Sequence, residues 1–105
     1  MTLRHAVCIL MLCHAPLMAN VDFNQQIRPI LSDKCFKCHG PDAKNQKSKL
    51  RLDSFLNATK SHGGVVALVP GKLDDSEMHW RIRSDDDDEV MPPPKAKLPL
   101  TNKEK

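Results

Sequence analysis

The 105-residue sequence predicts a small, mostly α-helical domain: short helices, long loops, and a core that its own side chains do not fill. Three observations predict it. Apolar residues recur at helical spacing in two short stretches, 22–34 and 75–83. Polar or Pro- and Gly-rich segments separate them. Val, Leu, Ile, Met, Phe and Trp together supply only 22 of the 86 residues from 20 to 105, and the whole chain has three Phe, one Trp and no Tyr. A domain this small is marginal on burial and often needs a staple, a metal or a cofactor. The length excludes a TIM barrel or a two-half dinucleotide fold. A net charge of +3 with a pI near 8.7 is only mildly basic, so no nucleic-acid partner is expected.

The first nineteen residues read as an export leader rather than as part of the domain. Arg4 and His5 are a short basic start, residues 6–12 are apolar, and Ala19 is a small residue at the expected cut. The apolar run is too short to span a bilayer, so no membrane span is expected after cleavage. The expected organisation is a signal peptide over 1–19 and one domain over 20–105. Cleavage removes Arg4, Cys8 and Cys13. That leaves 15 basic against 13 acidic residues, a charge of +2, with Cys35 and Cys38 as the only cysteines.

The domain begins with Asp22 as a helix cap and Gln25 at capping-box spacing. Phe23, Ile27 and Leu31 follow on one helical face. Pro29 predicts a kink, or a restart with the proline in a first turn. Residues 40–49 are polar and read as a loop. Leu50-Arg51-Leu52 is too short for a strand. Residues 54–60 predict one or two helical turns. Gly63-Gly64 breaks the chain, and residues 65–69 are β-prone but isolated. Asp74 and Glu77 repeat the capping-box spacing ahead of a helix over 75–83, with Met78 and Ile82 on one face. Residues 85–89 are a solvated acidic run, and Met91-Pro92-Pro93-Pro94 is extended and stiff. Thr101 and Glu104 again have capping-box spacing, which predicts that a final helix opens there. The expectation is a domain cut before its C-terminal helix.

The chemistry concentrates in Cys35-Phe36-Lys37-Cys38-His39. C-x-x-C-H is the attachment motif of c-type haem. Two thiols one helical turn apart can reach the two vinyl groups of one porphyrin, and the adjacent histidine can supply the proximal imidazole to iron. A haem would also supply the missing core. Other readings of the same residues stay open. Cys35, Cys38 and His39 could form a zinc-binding or dithiol interaction module, although no second close ligand pair and no βαβ context is visible. A haem sensor with an open sixth site is the remaining alternative.

For the sixth iron ligand the candidates are Met78, Met91, His62 and His79. Met91 is favoured, because a thioether in a proline-stiffened loop reaches the iron with little entropy loss. Met78 is explained by its partnership with Ile82, and His79 is expected on the exposed side of that helix. Lys44, Lys47, Lys49 and Arg51 read as a solvated loop, with steering of an acidic redox partner as the alternative. Arg51 reads as a surface arginine first and a partner for a haem propionate second. Trp80 reads as core filling or as packing on a haem edge. No paired carboxylates, Ser-His-Asp set or phosphate-binding loop gives this segment a catalytic constellation of its own.

Val21-Asp22-Phe23, Ile27-Arg28-Pro29-Ile30-Leu31 and Cys35-Phe36-Lys37-Cys38-His39-Gly40-Pro41-Asp42 resemble the planctomycete-type cytochrome c domain. So do Leu50-Arg51-Leu52-Asp53, Val69-Pro70-Gly71-Lys72, Asp75-Ser76-Glu77, Arg81-Ile82 and Met91-Pro92-Pro93-Pro94. The resemblance covers roughly residues 21–104. It implies a mostly α, cytochrome c-like helical domain wrapped around one covalently bound haem c, with long loops. It further implies Cys35 and Cys38 as attachment sites, His39 as proximal ligand and Met91 as distal ligand. Such a domain transfers single electrons in the periplasm or another extracytoplasmic compartment, to a redox partner protein or to a fused downstream domain. In this family it usually opens a much larger exported protein.

Overall fold

A computed structural model describes Ala15 and residues 20–105; the expected leader over 1–19 lies, Ala15 apart, outside the described residues. The first element is a single wide π-helical turn, Phe23–Ile27. Asp22 caps it as expected, its carboxylate accepting from the Gln25 N–H at 2.9 Å. The reciprocal bond comes from Gln26 rather than Gln25, with Oε1 accepting from the Asp22 N–H at 2.7 Å. The wide turn has a local cause. Pro29 has no N–H to continue the α ladder, so the turn before it expands and Arg28 N–H reaches the Phe23 carbonyl. Helix α1, Arg28–Lys34, then restarts with Pro29 in its first turn.

Cys35 ends α1, and its N–H donates to the Leu31 carbonyl at 2.9 Å. It also precedes α2, Phe36–His39. Helix α3, Phe55–Thr59, is capped by Ser54, whose hydroxyl accepts from Asn57 N–H at 3.2 Å. Strands β1 (Ser61–His62) and β2 (Val65–Val66) pair antiparallel. The β-prone run is therefore not isolated. Its partner was hidden because Gly63 and Gly64 both take positive φ, +63° and +88°, and so close a two-residue hairpin loop rather than break the chain.

Helix α4 spans Glu77–Arg81, shorter than the expected 75–83. Leu73–Asp75 forms a separate 3₁₀ turn, and Asp74 is not the cap. Ser76 stands at the N-terminus instead, but its hydroxyl is used elsewhere. It accepts from Val69 N–H at 2.9 Å and lies 2.9 Å from the Lys72 carbonyl, closing the 69–76 loop. A second 3₁₀ turn, Pro94–Ala96, follows the prolines. At Thr101 the capping box forms in both directions. Thr101 N–H donates to Glu104 Oε2 at 2.8 Å, and Glu104 N–H to Thr101 Oγ1 at 3.3 Å.

The centre of the chain is held by backbone rather than by bulk. Leu68 N–H donates to the Ala58 carbonyl at 3.1 Å, and Met78 N–H to the Ala67 carbonyl at 3.0 Å. Only small side chains fit where α3, β2 and α4 come this close, and Ala58 and Ala67 are buried there. Leu31 is the remaining buried apolar residue, and among the described residues no large side chain is fully buried. Trp80 does not fill a core: it is 55% exposed, and its indole N–H donates to the Asp74 carbonyl at 2.9 Å.

Ser76→Ala orphans the Val69 N–H in a buried setting, at a cost of about 1–3 kcal/mol. The expected result is a lower urea midpoint with an unchanged m-value.

Candidate haem site

The site grows from the break between α1 and α2. The Cys35 carbonyl accepts from Cys38 N–H at 3.2 Å and from His39 N–H at 2.8 Å. That single turn brings Cys35, Cys38 and His39 together, with the two cysteines three positions apart. Both are free thiols and half-buried. Burial, with the neighbouring Cys38 adding to it, pushes the Cys35 thiol up to about 11. Gly40 closes the turn for a steric reason. Its backbone is extended, but a Cβ there would collide with the Phe36 carbonyl oxygen and Cβ.

The loop over 47–52 wraps this turn. Lys47 N–H donates to the Cys38 carbonyl at 3.2 Å, and Leu52 N–H to the His39 carbonyl at 2.7 Å. Between them, His39 Nδ1 lies 3.2 Å from the Leu50 carbonyl oxygen. A carbonyl only accepts, so Nδ1 carries the proton and donates. The neutral ring therefore keeps its lone pair on Nε2, the nitrogen left for a metal. Ser48 Oγ lies 3.3 Å from the same Nδ1 and supports the loop by accepting from Leu50 N–H at 3.2 Å. Neither Ser48 nor the Leu50 carbonyl was identifiable beforehand.

Two hollows, both part-open to solvent, adjoin one another. The smaller, about 150 Å³, is walled by Ile27, Leu31, Cys35, Met78, Ile82 and Leu100, among others. The larger, about 460 Å³, includes Met91, Pro92, Pro93, Pro94, Lys97 and Leu98 in its lining. Ile82 and Leu100 line both, so the Cys35 wall and the Met91 wall face adjoining space. Cys38 and His39 line neither. The larger hollow falls in the range of small-molecule and cofactor sites. Apolar walls, two thiols and an oriented imidazole are a donor set that suits a haem rather than a bare ion. Among the described residues, no three His, Cys, Asp or Glu side chains form a metal-holding group of the kind zinc requires.

The chain from 35 to 95 matches a family model described as Planctomycete cytochrome C. That is more than half of the sequence. The chain belongs to the planctomycete cytochrome C family. The matched stretch begins at Cys35 itself and ends in the 3₁₀ turn after Met91, narrower than the resemblance over 21–104. No curated protein and no solved structure matches significantly. Membership carries haem c binding, and cytochrome c domains typically work outside the cytoplasm. Among the described residues, no helix is long and apolar enough to cross a membrane.

Within this cytochrome c domain the four candidates for a sixth ligand separate. Met91 and Met78 line the hollows. His62 does not; its Nε2 lies 2.9 Å from the Asn57 carbonyl, in the hairpin. His79 is half-buried rather than exposed, edge-on to Trp80 with ring centres 5.3 Å apart. Met91 is held in place by α4, since its N–H donates to the Arg81 carbonyl at 3.1 Å. The Arg81 side chain pairs with Glu77 at 3.1 Å and donates to the Glu89 carbonyl at 3.3 Å, fastening the start of the Met91 loop. Arg81 is a positioning residue; it stood out in the sequence only within the Arg81-Ile82 segment of the resemblance, and its i, i+4 spacing from Glu77 is a signal that could have found the role. Arg51 forms a two-point pair with Asp53, at 3.0 and 2.6 Å.

Two predictions follow from this geometry. Gly40→Ala forces the Phe36 carbonyl to move, costing about 1–3 kcal/mol, read as a lower urea midpoint. The raised Cys35 pKa means that the folded chain keeps a proton which the unfolded chain loses above its ordinary value of 9.0. Stability of the haem-free chain therefore falls as pH rises from 9 towards 11. Urea midpoints near pH 8 and near pH 10.5 should drop further in the wild type than in Cys35→Ala.

Proposed function

We propose that this is an exported cytochrome c domain that holds one covalent haem c and passes single electrons to a redox partner protein or a fused domain. The observation that carries the reading is the Cys35–His39 turn, with His39 Nδ1 fixed on the Leu50 carbonyl, beside an interior that the side chains leave hollow. Haem c supplies, when bound, an iron that takes up and releases one electron.

The chain's own residues do the rest. Cys35 and Cys38 would hold the haem through thioethers, each thiol adding across a vinyl group with no leaving group. His39, its ring orientation set through Nδ1, would offer Nε2 to the iron, and Met91, presented by the Arg81-anchored loop, would offer its thioether. Ile82 and Leu100 give apolar walls that keep water away, which together with a methionine ligand raises the reduction potential. Acidic redox partners are steered by Lys44, Lys47 and Lys49 in the exposed loop beside the motif.

The chain is expressed with its leader alongside a cytochrome c maturation system, extracted with acid acetone, and read as the pyridine haemochrome. A c-type spectrum that stays with the polypeptide is expected, and Cys35→Ser with Cys38→Ser should abolish it. Stoichiometric zinc with no iron would overturn the reading. Met91→Ala should lose the sulfur-to-iron charge-transfer band and lower the potential; a band that persists removes Met91 from the iron.

A further inference from the structure

Between Ser48 and Leu52 three successive peptide groups run past the cysteine turn, and the N–H of each has a different partner. The 49–50 peptide gives its N–H to Ser48 Oγ at 3.2 Å, and that Oγ also stands 3.3 Å from His39 Nδ1. The 51–52 peptide gives its N–H to the His39 carbonyl at 2.7 Å. The 50–51 peptide lies between them and carries the carbonyl oxygen 3.2 Å from His39 Nδ1. Its N–H belongs to Arg51 and donates to Asn57 Oδ1 at 2.6 Å.

A peptide group is planar and trans, so its N–H and C=O point in opposite directions. Whatever holds the N–H therefore aims the carbonyl. Asn57 holds it from α3, through a part-buried bond. The backbone of Asn57 is fixed in turn. Its N–H donates to Ser54 Oγ at 3.2 Å, and its carbonyl accepts from His62 Nε2 at 2.9 Å. Asparagine is otherwise a poor choice inside a helix, where its side chain competes with the backbone. Here the side chain leaves the helix for the loop.

We infer that Asn57 is a positioning residue for the haem: through the 50–51 peptide it aims the Leu50 carbonyl at His39 Nδ1. The inference rests on the reading of His39 as proximal ligand given above. Asn57 acts in two ways. It keeps the carbonyl in line with the Nδ1–H. It also polarises the peptide, because hydrogen bonds in series strengthen one another, and a carbonyl whose own amide N–H is bonded accepts more strongly. A firmer bond at Nδ1 makes Nε2 a more basic ligand. That favours ferric iron and holds the reduction potential down.

The test uses the haem-loaded chain with Asn57→Ala, Asn57→Leu and Asn57→Asp, and with Ser76→Ala as a variant destabilised elsewhere. Haem content comes from the pyridine haemochrome and the potential from a redox titration. The His39 Nδ1–H is followed in proton–nitrogen spectra of the ferrous protein, as its rate of exchange with solvent. Asn57→Ala and Asn57→Leu should keep the covalent haem, raise the potential and speed that exchange about three- to tenfold, as the loss of one hydrogen bond predicts. Asn57→Asp keeps an oxygen acceptor, so exchange should return to the wild-type rate and the potential to the wild-type value or below it. Ser76→Ala should lower the urea midpoint and leave both His39 readings unchanged. Wild-type exchange and potential in Asn57→Ala and Asn57→Leu, or equal shifts in Ser76→Ala, would overturn the assignment and leave the haem reading standing. Wild-type protein without covalent haem would overturn both, and the haemochrome alone tells that case apart.

Discussion

The interior of this domain lacks matter, and most of its architecture follows from that shortage. Among the described residues its buried apolar ones are one leucine and two alanines, and no large side chain is fully enclosed. The larger hollow, about 460 Å³, is part-open to solvent, so water can enter it, but water does not replace the missing dispersion contacts. The polypeptide is therefore a shell whose regular elements are short, because helices and strands lengthen where they have something to pack against. Membership of a cytochrome c family supplies the missing piece, since haem c is a large flat apolar body with polar edges.

Backbone hydrogen bonds take over where side-chain packing is thin. The 47–52 loop is tied to the cysteine turn, the 67–68 segment to α3 and α4, and the Met91 loop to Arg81, each through main-chain groups. Such ties hold the rim of the cavity without occupying its volume. They also explain the small residues at the crossings, Ala58, Ala67 and Gly40, where any larger group would part the strands of chain.

Local chemistry was legible in the sequence. Asp22 and Ser54 cap as their residue types suggest, Pro29 restarts a helix, and Thr101 and Glu104 close their box. The cysteine motif was legible because covalent attachment demands one spacing. What escaped was decided by competition or by anonymous groups. Asp74 was the expected cap, but Ser76 took the position and spends its hydroxyl on the 69–72 loop. The partner of β2 was hidden by two glycines that read as a break. Met78 was assigned to a helix face, correctly, but that face is also a cavity wall. The positive φ of Lys97 has no signal in residue type at all, since lysine is not a residue that announces a left-handed turn.

The bond from His39 to Leu50 has a consequence for how this protein can change over time. The ring is aligned by a main-chain oxygen, not by a carboxylate or an amide side chain. Every amino acid carries that oxygen. Position 50 can therefore drift in identity while the imidazole keeps the same tautomer and the same neutral partner, provided that the loop keeps its course. An aspartate in this role would add charge and could be lost in a single mutational step. A carbonyl adds none and cannot be mutated away, so the electronic setting of the histidine is protected by the backbone and only the path of the loop is left exposed to selection.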